Sequence, residues 1–184
     1  KGKKTDYDRD MVDRLNSGEL TNPDSIHFVD SLKFITLKNG RTVYGGGGIM
    51  PDTYVPLDTN QYTRLHRELQ AKSCILNANL RYVDKHRKKL QKQYPSFEQF
   101  SQQFEAPQEM IDLMLDYAEK AKIEVTDSAL LASLPMIKLQ MKALLARDLW
   151  EMNEYYQVIN ESNNIYRQGI ATIKEDDFYD QLSR

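Results

Sequence analysis

Lys33-Phe34-Ile35-Thr36-Leu37-Lys38-Asn39-Gly40-Arg41-Thr42-Val43-Tyr44 places two β-prone runs around an Asn-Gly pair. Residues of the Phe, Ile, Thr, Val and Tyr type suit a pleated, half-buried surface. Asn and Gly tolerate the positive φ that both central positions of a tight turn require, so the stretch predicts a β-hairpin. Gly45 to Gly48 follow, then Ile49-Met50-Pro51-Asp52 and a further short strand, Tyr54-Val55-Pro56. Pro51 and Pro56 confine that strand to a sheet edge or a strand end. From Asp58 onward the texture is helical. The predicted fold class is α+β, mainly α: a short hairpin left over from a larger sheet, then a helical C-terminal bundle.

Upstream of the hairpin, a helix is expected over about Thr5 to Ser17. Thr5 or Asp6 caps its start, Asp8 suits the positive end of the dipole, and Gly18 closes it in the left-handed conformation. Its apolar residues are only Tyr7, Met11, Val12 and Leu15. Thr21-Asn22-Pro23-Asp24-Ser25 reads as a turn.

Downstream, Asp58 with Gln61 has the form of a capping box, and Tyr62, Leu65 and Leu69 follow at helical spacing. A second stretch places Leu76, Leu80, Val83 and Leu90 on one stripe, with Arg81, Lys85, Arg87, Lys88, Lys89 and Lys92 mostly off it. Ser96 and Gln99 repeat the capping form before Phe97, Phe100 and Phe104. Pro107 suits a first helical position before Met110, Ile111, Met114, Tyr117, Ala118 and Ala121. The longest pattern starts near Thr126-Asp127-Ser128 and runs through Leu130, Leu134, Ile137, Met141, Leu144, Leu145, Leu149 and Met152. Pro135 lies inside it and predicts a kink, or a fresh start capped by Ser133. A last helix is expected from about Ser162 through Ile165, Tyr166, Ile170 and Ile173.

The chain has 184 residues, 40% hydrophobic and 28% charged, as ordinary globular domains do. Its net charge of -2 gives no reason to expect a nucleic-acid partner. No apolar run approaches the ~20 residues that span a bilayer, so no membrane span is expected. The single cysteine, Cys74, excludes an internal disulfide and leaves localisation open. Lys1-Gly2-Lys3-Lys4 is neither an initiator nor a leader, so the chain is expected to be part of something longer.

Four glycines in a row suggest a phosphate loop, but such a loop needs Lys-Ser or Lys-Thr after its last glycine, and Ile49-Met50-Pro51 stands there. The glycines instead let the chain leave a strand and bend sharply. His27, His66 and His86 show no i, i+4 pairing, and with one cysteine they make no zinc site. His66 and His86 are expected on solvated helix faces. The basic run Lys85-His86-Arg87-Lys88-Lys89 reads as a solvated face, with only Tyr82 and Tyr94 interleaved. Trp150, Tyr155 and Tyr156 at helical spacing read as core or as a partner contact. No serine stands in a nucleophile turn and no carboxylate pair is singled out. No catalytic, cofactor-binding or metal-ligating residue is therefore assigned, and no cofactor is expected.

Thr36, Gly40-Arg41, Gly48-Ile49, Pro51-Asp52 and Val55 stand in an order that resembles the close of the protease domain in the C-terminal processing peptidases, or tail-specific proteases. The longer form from Gly40 to Asp52 is similar to that of Bacteroidetes-type members. Tyr7-Asp8-Arg9-Asp10 with Arg14 and Gly18-Glu19-Leu20 resembles their preceding insertion. Tyr82-Val83-Asp84, His86-Arg87, Ala146-Arg147 and Leu149-Trp150 resemble their helical extension.

The resemblance implies a parent that is an exported serine endopeptidase of the periplasm or cell envelope, with a Ser/Lys dyad and a PDZ domain upstream. Neither catalytic position maps onto this chain. Residues 1–57 would then be the C-terminal end of the protease domain and 58–184 a helical C-terminal domain. That domain would serve packing, assembly or control of substrate access. The implied partners are the parent's own protease and PDZ domains, its protein or peptide substrates, and a second copy in a homodimer. A stand-alone helical interaction module, with a hairpin that augments a partner's sheet, is the competing expectation.

Overall fold

The computed structural model describes residues 4–26, 31, 33–38, 40, 42–45 and 53–175. The protein is mainly α with one small antiparallel hairpin. Its backbone divides into two compact units. One comprises Lys1–Thr59 with Asn164–Arg184, and the other comprises Asn60–Asn163.

In the first unit, α1 spans Lys4–Asn16. The chain then turns through Gly18 at φ +86, where the Gly18 carbonyl accepts from Thr21 N–H at 3.0 Å and Asn22 N–H at 2.8 Å. Asn22 caps a single 3-10 turn, Pro23–Ser25. Strands β1 (Lys33–Ile35) and β2 (Thr42–Tyr44) pair with Phe34 opposite Val43.

That register corrects the expected two-residue turn. With Ile35 opposite Thr42, Asn-Gly is not centred between the paired residues; Gly40 N–H donates to the Thr36 carbonyl at 3.1 Å with Gly40 at φ +60. The expected strand at Tyr54-Val55-Pro56 is absent. Pro56 has no N–H for a ladder, and the segment is held by Leu57 N–H on the Leu20 carbonyl and Tyr54 O–H on the Glu19 carbonyl, both at 2.8 Å. Gly46 to Asp52, with most of the glycine run and the Ile-Met-Pro-Asp segment, lie outside the described residues. Helix α8 (Asn164–Ile173) completes this unit.

The second unit contains α2 (Arg64–Ala71), α3 (Cys74–Gln93), α4 (Phe97–Gln103), α5 (Gln108–Lys120), α6 (Asp127–Leu149) and α7 (Met152–Ile159). α3 and α6 pack on each other at its centre, α5 lies on α3, α7 on α6, and α2 against both central helices. Among the described residues, every buried apolar side chain from Leu65 to Val158 belongs to this unit. Phe100 is central to its aromatic group, stacked on Phe104 at 4.7 Å and close to Trp150 at 5.2 Å.

Several expected boundaries shift for local reasons. The cap of α2 is Thr63, whose hydroxyl accepts from His66 N–H at 3.1 Å, and not Asp58. The inward stripe of α3 runs through Ile75, Ala78, Asn79, Tyr82, Val83 and Leu90, while Leu80 is exposed. Ile75, Ala78, Asn79 and Tyr82 form an i, i+3, i+4, i+7 face that includes a polar residue. Ser96 caps α4 as expected, Thr126 caps α6 at its expected start, and Pro107 is the N-cap residue of α5 and not its first helical residue. α6 continues through Pro135 without a fresh start. Pro135 and Leu131, whose carbonyl the proline cannot serve, both lie on an exposed face where water can replace the missing bond. α6 ends at Trp150, and the Glu154 carboxylate accepts from Glu151 N–H at 3.1 Å to begin α7.

By length and composition α6 is apolar enough to cross a membrane, against the expectation that no stretch is. Ile137, Met141, Leu144 and Leu145 lie in the core of the helical unit, and 39% of that apolar window is buried there.

Candidate functional site

The Leu65-His66-Leu69 stripe of α2 faces inward and carries a histidine with it. His66 is fully buried, which corrects the expectation of a solvated face. Its Nε2–H donates to Gln140 Oε1 at 2.7 Å, and its ring stacks on Tyr62 with centroids 5.1 Å apart. Burial pushes its pKa below the ordinary histidine value, with the nearby Arg67 charge acting the same way and the Gln140 contact opposing. At neutral pH the ring is therefore uncharged, and Nδ1 has no hydrogen-bond partner among the described residues. Beneath it runs a chain of hydroxyls. Ser133 donates to the Ala129 carbonyl at 2.6 Å, so Thr63 donates to Ser133 across another 2.6 Å contact.

α2, α6 and α7, with the residues just before α2, border an open surface pocket of about 210 Å³ lined by Tyr62, Gln70, Gln140, Tyr155 and Ile159. The lining holds two phenols, two primary amides and one branched alkyl group, and no charge. Gln140 has its carbonyl committed to His66, which fixes the amide and leaves its N–H groups available. Burial, followed by the neighbouring Tyr62 and Tyr156, pushes the Tyr155 phenol up, so it remains a neutral donor. One buried imidazole thus positions two walls of the pocket, the Tyr62 ring and the Gln140 amide.

A second polar centre joins α3 to the end of α6. The buried Asn79 donates through Nδ2 to Asp148 Oδ2 at 2.8 Å, and Arg147 pairs with Asp148 Oδ1 at 2.8 Å. Arg87 donates to the Asp148 carbonyl at 2.7 Å. Further along α3, Lys85 at 2.8 Å and His86 at 3.0 Å converge on Glu109 of α5. Those contacts hold the Glu109 carboxyl below the usual carboxylate range. These groups act as braces, each spent on another element.

The remaining residues singled out in the sequence are dispersed. Arg81, Lys85, Lys88, Lys89 and Lys92 lie exposed along α3. Arg87 and His86 are drawn inward by Asp148 and Glu109. Trp150 packs on Phe97 and Phe100, as core, whereas Tyr155 lines the pocket and Tyr156 is exposed. Cys74 is buried and its thiol is pushed up by that burial, which makes it unreactive. His27 lies outside the described residues. Ser133 and His66 are both near Thr63, but they bond to Ala129 and Gln140 and not to each other, so no nucleophile–base pair is formed there. Among the described residues, no group of three or more His, Cys, Asp and Glu side chains could hold a metal ion. Gln70 and Gln140 were missed in the sequence because an isolated glutamine carries no spacing signal; the Tyr62–His66 i, i+4 pair was the sole visible trace.

Residues 65–151 match the model of a family described as a family of unknown function (DUF8443). The matched segment runs from the start of α2 to the start of α7 and so lies within the helical unit. It includes His66, Gln70, Asn79, Gln140 and Asp148, while Tyr62, Tyr155 and Ile159 fall outside it. No curated protein and no solved structure matches the chain.

Proposed function

We propose that the chain is the non-catalytic C-terminal portion of an exported serine endopeptidase of the C-terminal processing type, acting in the periplasm or cell envelope. In this reading the hairpin closes the protease sheet, and the helical unit serves packing, assembly or substrate access. Its partners are the parent's protease and PDZ domains, the parent's protein substrates and, for assembly, a second copy.

The observation that carries the reading is the hairpin. An isolated pair of strands is marginal in water, because it has no apolar surface to bury against. Here Phe34, Ile35 and Leu37 are exposed at 56%, 67% and 106%, and Val43 at 44%, while each strand has a single paired neighbour among the described residues. Such side chains are explained if further strands and helices cover them in the parent protein. The order of residues from Thr36 to Val55, which resembles the close of that family's protease domain, supports this choice of parent.

The parent polypeptide, encoded with its upstream region, tests this. It should cleave unstructured protein C-termini through an upstream serine, and removing residues 60–163 should change its oligomeric state or its choice of substrate. A parent without peptidase activity, or one indifferent to that removal in both respects, overturns the reading. The competing interaction-module reading predicts instead that the 184-residue chain captures a partner's sheet edge with no peptidase in the same polypeptide.

A further inference from the structure

The basic run of α3 stands on the surface without a matching set of carboxylates. From Arg81 to Lys92 the helix carries six Lys and Arg side chains against one acid, Asp84. Two of the six are engaged within the unit, Lys85 on Glu109 and Arg87 on the Asp148 carbonyl. Arg81, Lys88, Lys89 and Lys92 are exposed, and none of them holds an ion pair with a described residue. At 3.6 residues per turn, Arg81, Lys88 and Lys92 lie within about 40° of one another around the helix, with Lys85 and Lys89 beside them. The row is about 16 Å long at 1.5 Å per residue. Like charges meet at i, i+4 in Arg81–Lys85, Lys85–Lys89 and Lys88–Lys92, and at i, i+3 in Lys85–Lys88 and Lys89–Lys92, and such pairs weaken a helix. The fold gains nothing from this row, and an anion laid along it relieves the repulsion.

We propose that this row docks an extended acidic peptide segment with a carboxylate at every second residue. In an extended chain alternate side chains share a face and stand about 6.6 Å apart. The cations rise by about 6, 4.5 and 6 Å from Arg81 through Lys85 and Lys88 to Lys92, so about seven residues of such a peptide supply one carboxylate per cation. Other polyanions fit the row less well. Single-stranded nucleic acid stacks on aromatic rings between the cations, and Tyr82 and Tyr94 are both buried. Reading a duplex groove takes a helix that protrudes, whereas α3 is packed by α2, α5 and α6. Stable seating on an anionic membrane takes a second signal, such as apolar side chains that insert beside the cations. No apolar side chain from Arg81 to Gln93 is exposed. The proposal stands on α3 alone and does not depend on the parent being a peptidase.

The test uses the full 184-residue chain, ¹⁵N-labelled, titrated at about 10 mM salt with an acetylated, amidated octapeptide of alternating Glu and Ala. Saturable shifts centred on the backbone amides of residues 81–92 are expected, with a high-micromolar Kd that weakens about tenfold by about 150 mM salt. Lys88→Gln combined with Lys92→Gln should weaken binding about fivefold. That double variant removes like-charge contacts, so it should melt no lower than the unaltered chain. Lys72→Gln combined with Lys138→Gln removes the same charge from exposed positions elsewhere in the unit and should weaken binding by about twofold at most. Absence of saturable shifts at low salt, equal weakening by the two double variants, or equal binding of the octapeptide with Gln in place of Glu would each overturn the proposal. So would tighter binding of a short DNA duplex or of phosphatidylserine vesicles.

Discussion

His66 is a base enclosed where its charged form is penalised, and that makes it a source of acid sensitivity. Its folded pKa lies below the ordinary value near 6.5, chiefly through burial. The unfolded chain therefore binds a proton before the folded one does. Stability should be full above about pH 6.5 and fall as the pH drops below it, until the folded ring is also protonated. Urea unfolding between pH 7.5 and 5 should show this decline, and His66→Phe should flatten it in that window. Asn79 offers a second test. Asn79→Ala strips the partly buried Asp148 carboxylate of a donor and should cost about 2 kcal/mol. Arg64→Ala breaks only the exposed Arg64–Glu68 pair and should leave the urea midpoint essentially unchanged. Neither buried residue was legible as such, because a lone His or Asn on an apolar stripe looks the same in sequence whether it faces water or a partner 70 positions away.

At the level of elements, α6 carries a proline that its neighbours tolerate and do not need. Pro135→Ala restores an N–H to the Leu131 carbonyl and should raise stability by about 1–3 kcal/mol, read as a higher Tm of the helical unit. Gly18 is the opposite case. A Cβ there would stand 3.0 Å from Ser25 Oγ on a backbone at φ +86, so Gly18→Ala should destabilise the end of α1 by about 1–2 kcal/mol. Hydrogen exchange at Ser17 and Gly18 amides, which bond to Asp13 and Leu15, should speed up by about tenfold. The helices were legible where composition announces them: the Ser96 and Thr126 caps, the Pro107 start and the Met110-Ile111-Met114 face all carry local signals. The break at Trp150 was not, since the cap that restarts the chain is a glutamate pair, Glu151 and Glu154, in place of the usual Ser or Thr. The hairpin was legible as an element but its register was not, because an Asn-Gly pair does not by itself fix which residues on either side face each other.

On the scale of the whole molecule, the buried apolar residues described from Leu65 to Val158 all fall within residues 60–163, and Gln61 ties the entry of that unit to its exit through the Ser162 carbonyl at 3.0 Å. Residues 60–163 expressed alone should therefore unfold in one cooperative transition with helical circular dichroism; a broad, non-cooperative melt would show that the core needs more chain. The pocket was not legible at this scale, because its walls come from residues up to 97 positions apart in sequence that only the packing of α2, α6 and α7 brings together. The central claim is that the chemistry of the parent lies upstream of this chain. The most direct measurement compares peptidase turnover of the isolated 184-residue chain with that of the parent polypeptide on a protein with an unstructured C-terminus. The account predicts no turnover from the chain at any concentration and serine-dependent cleavage by the parent. Turnover by the isolated chain, or a parent that cleaves nothing, would contradict it.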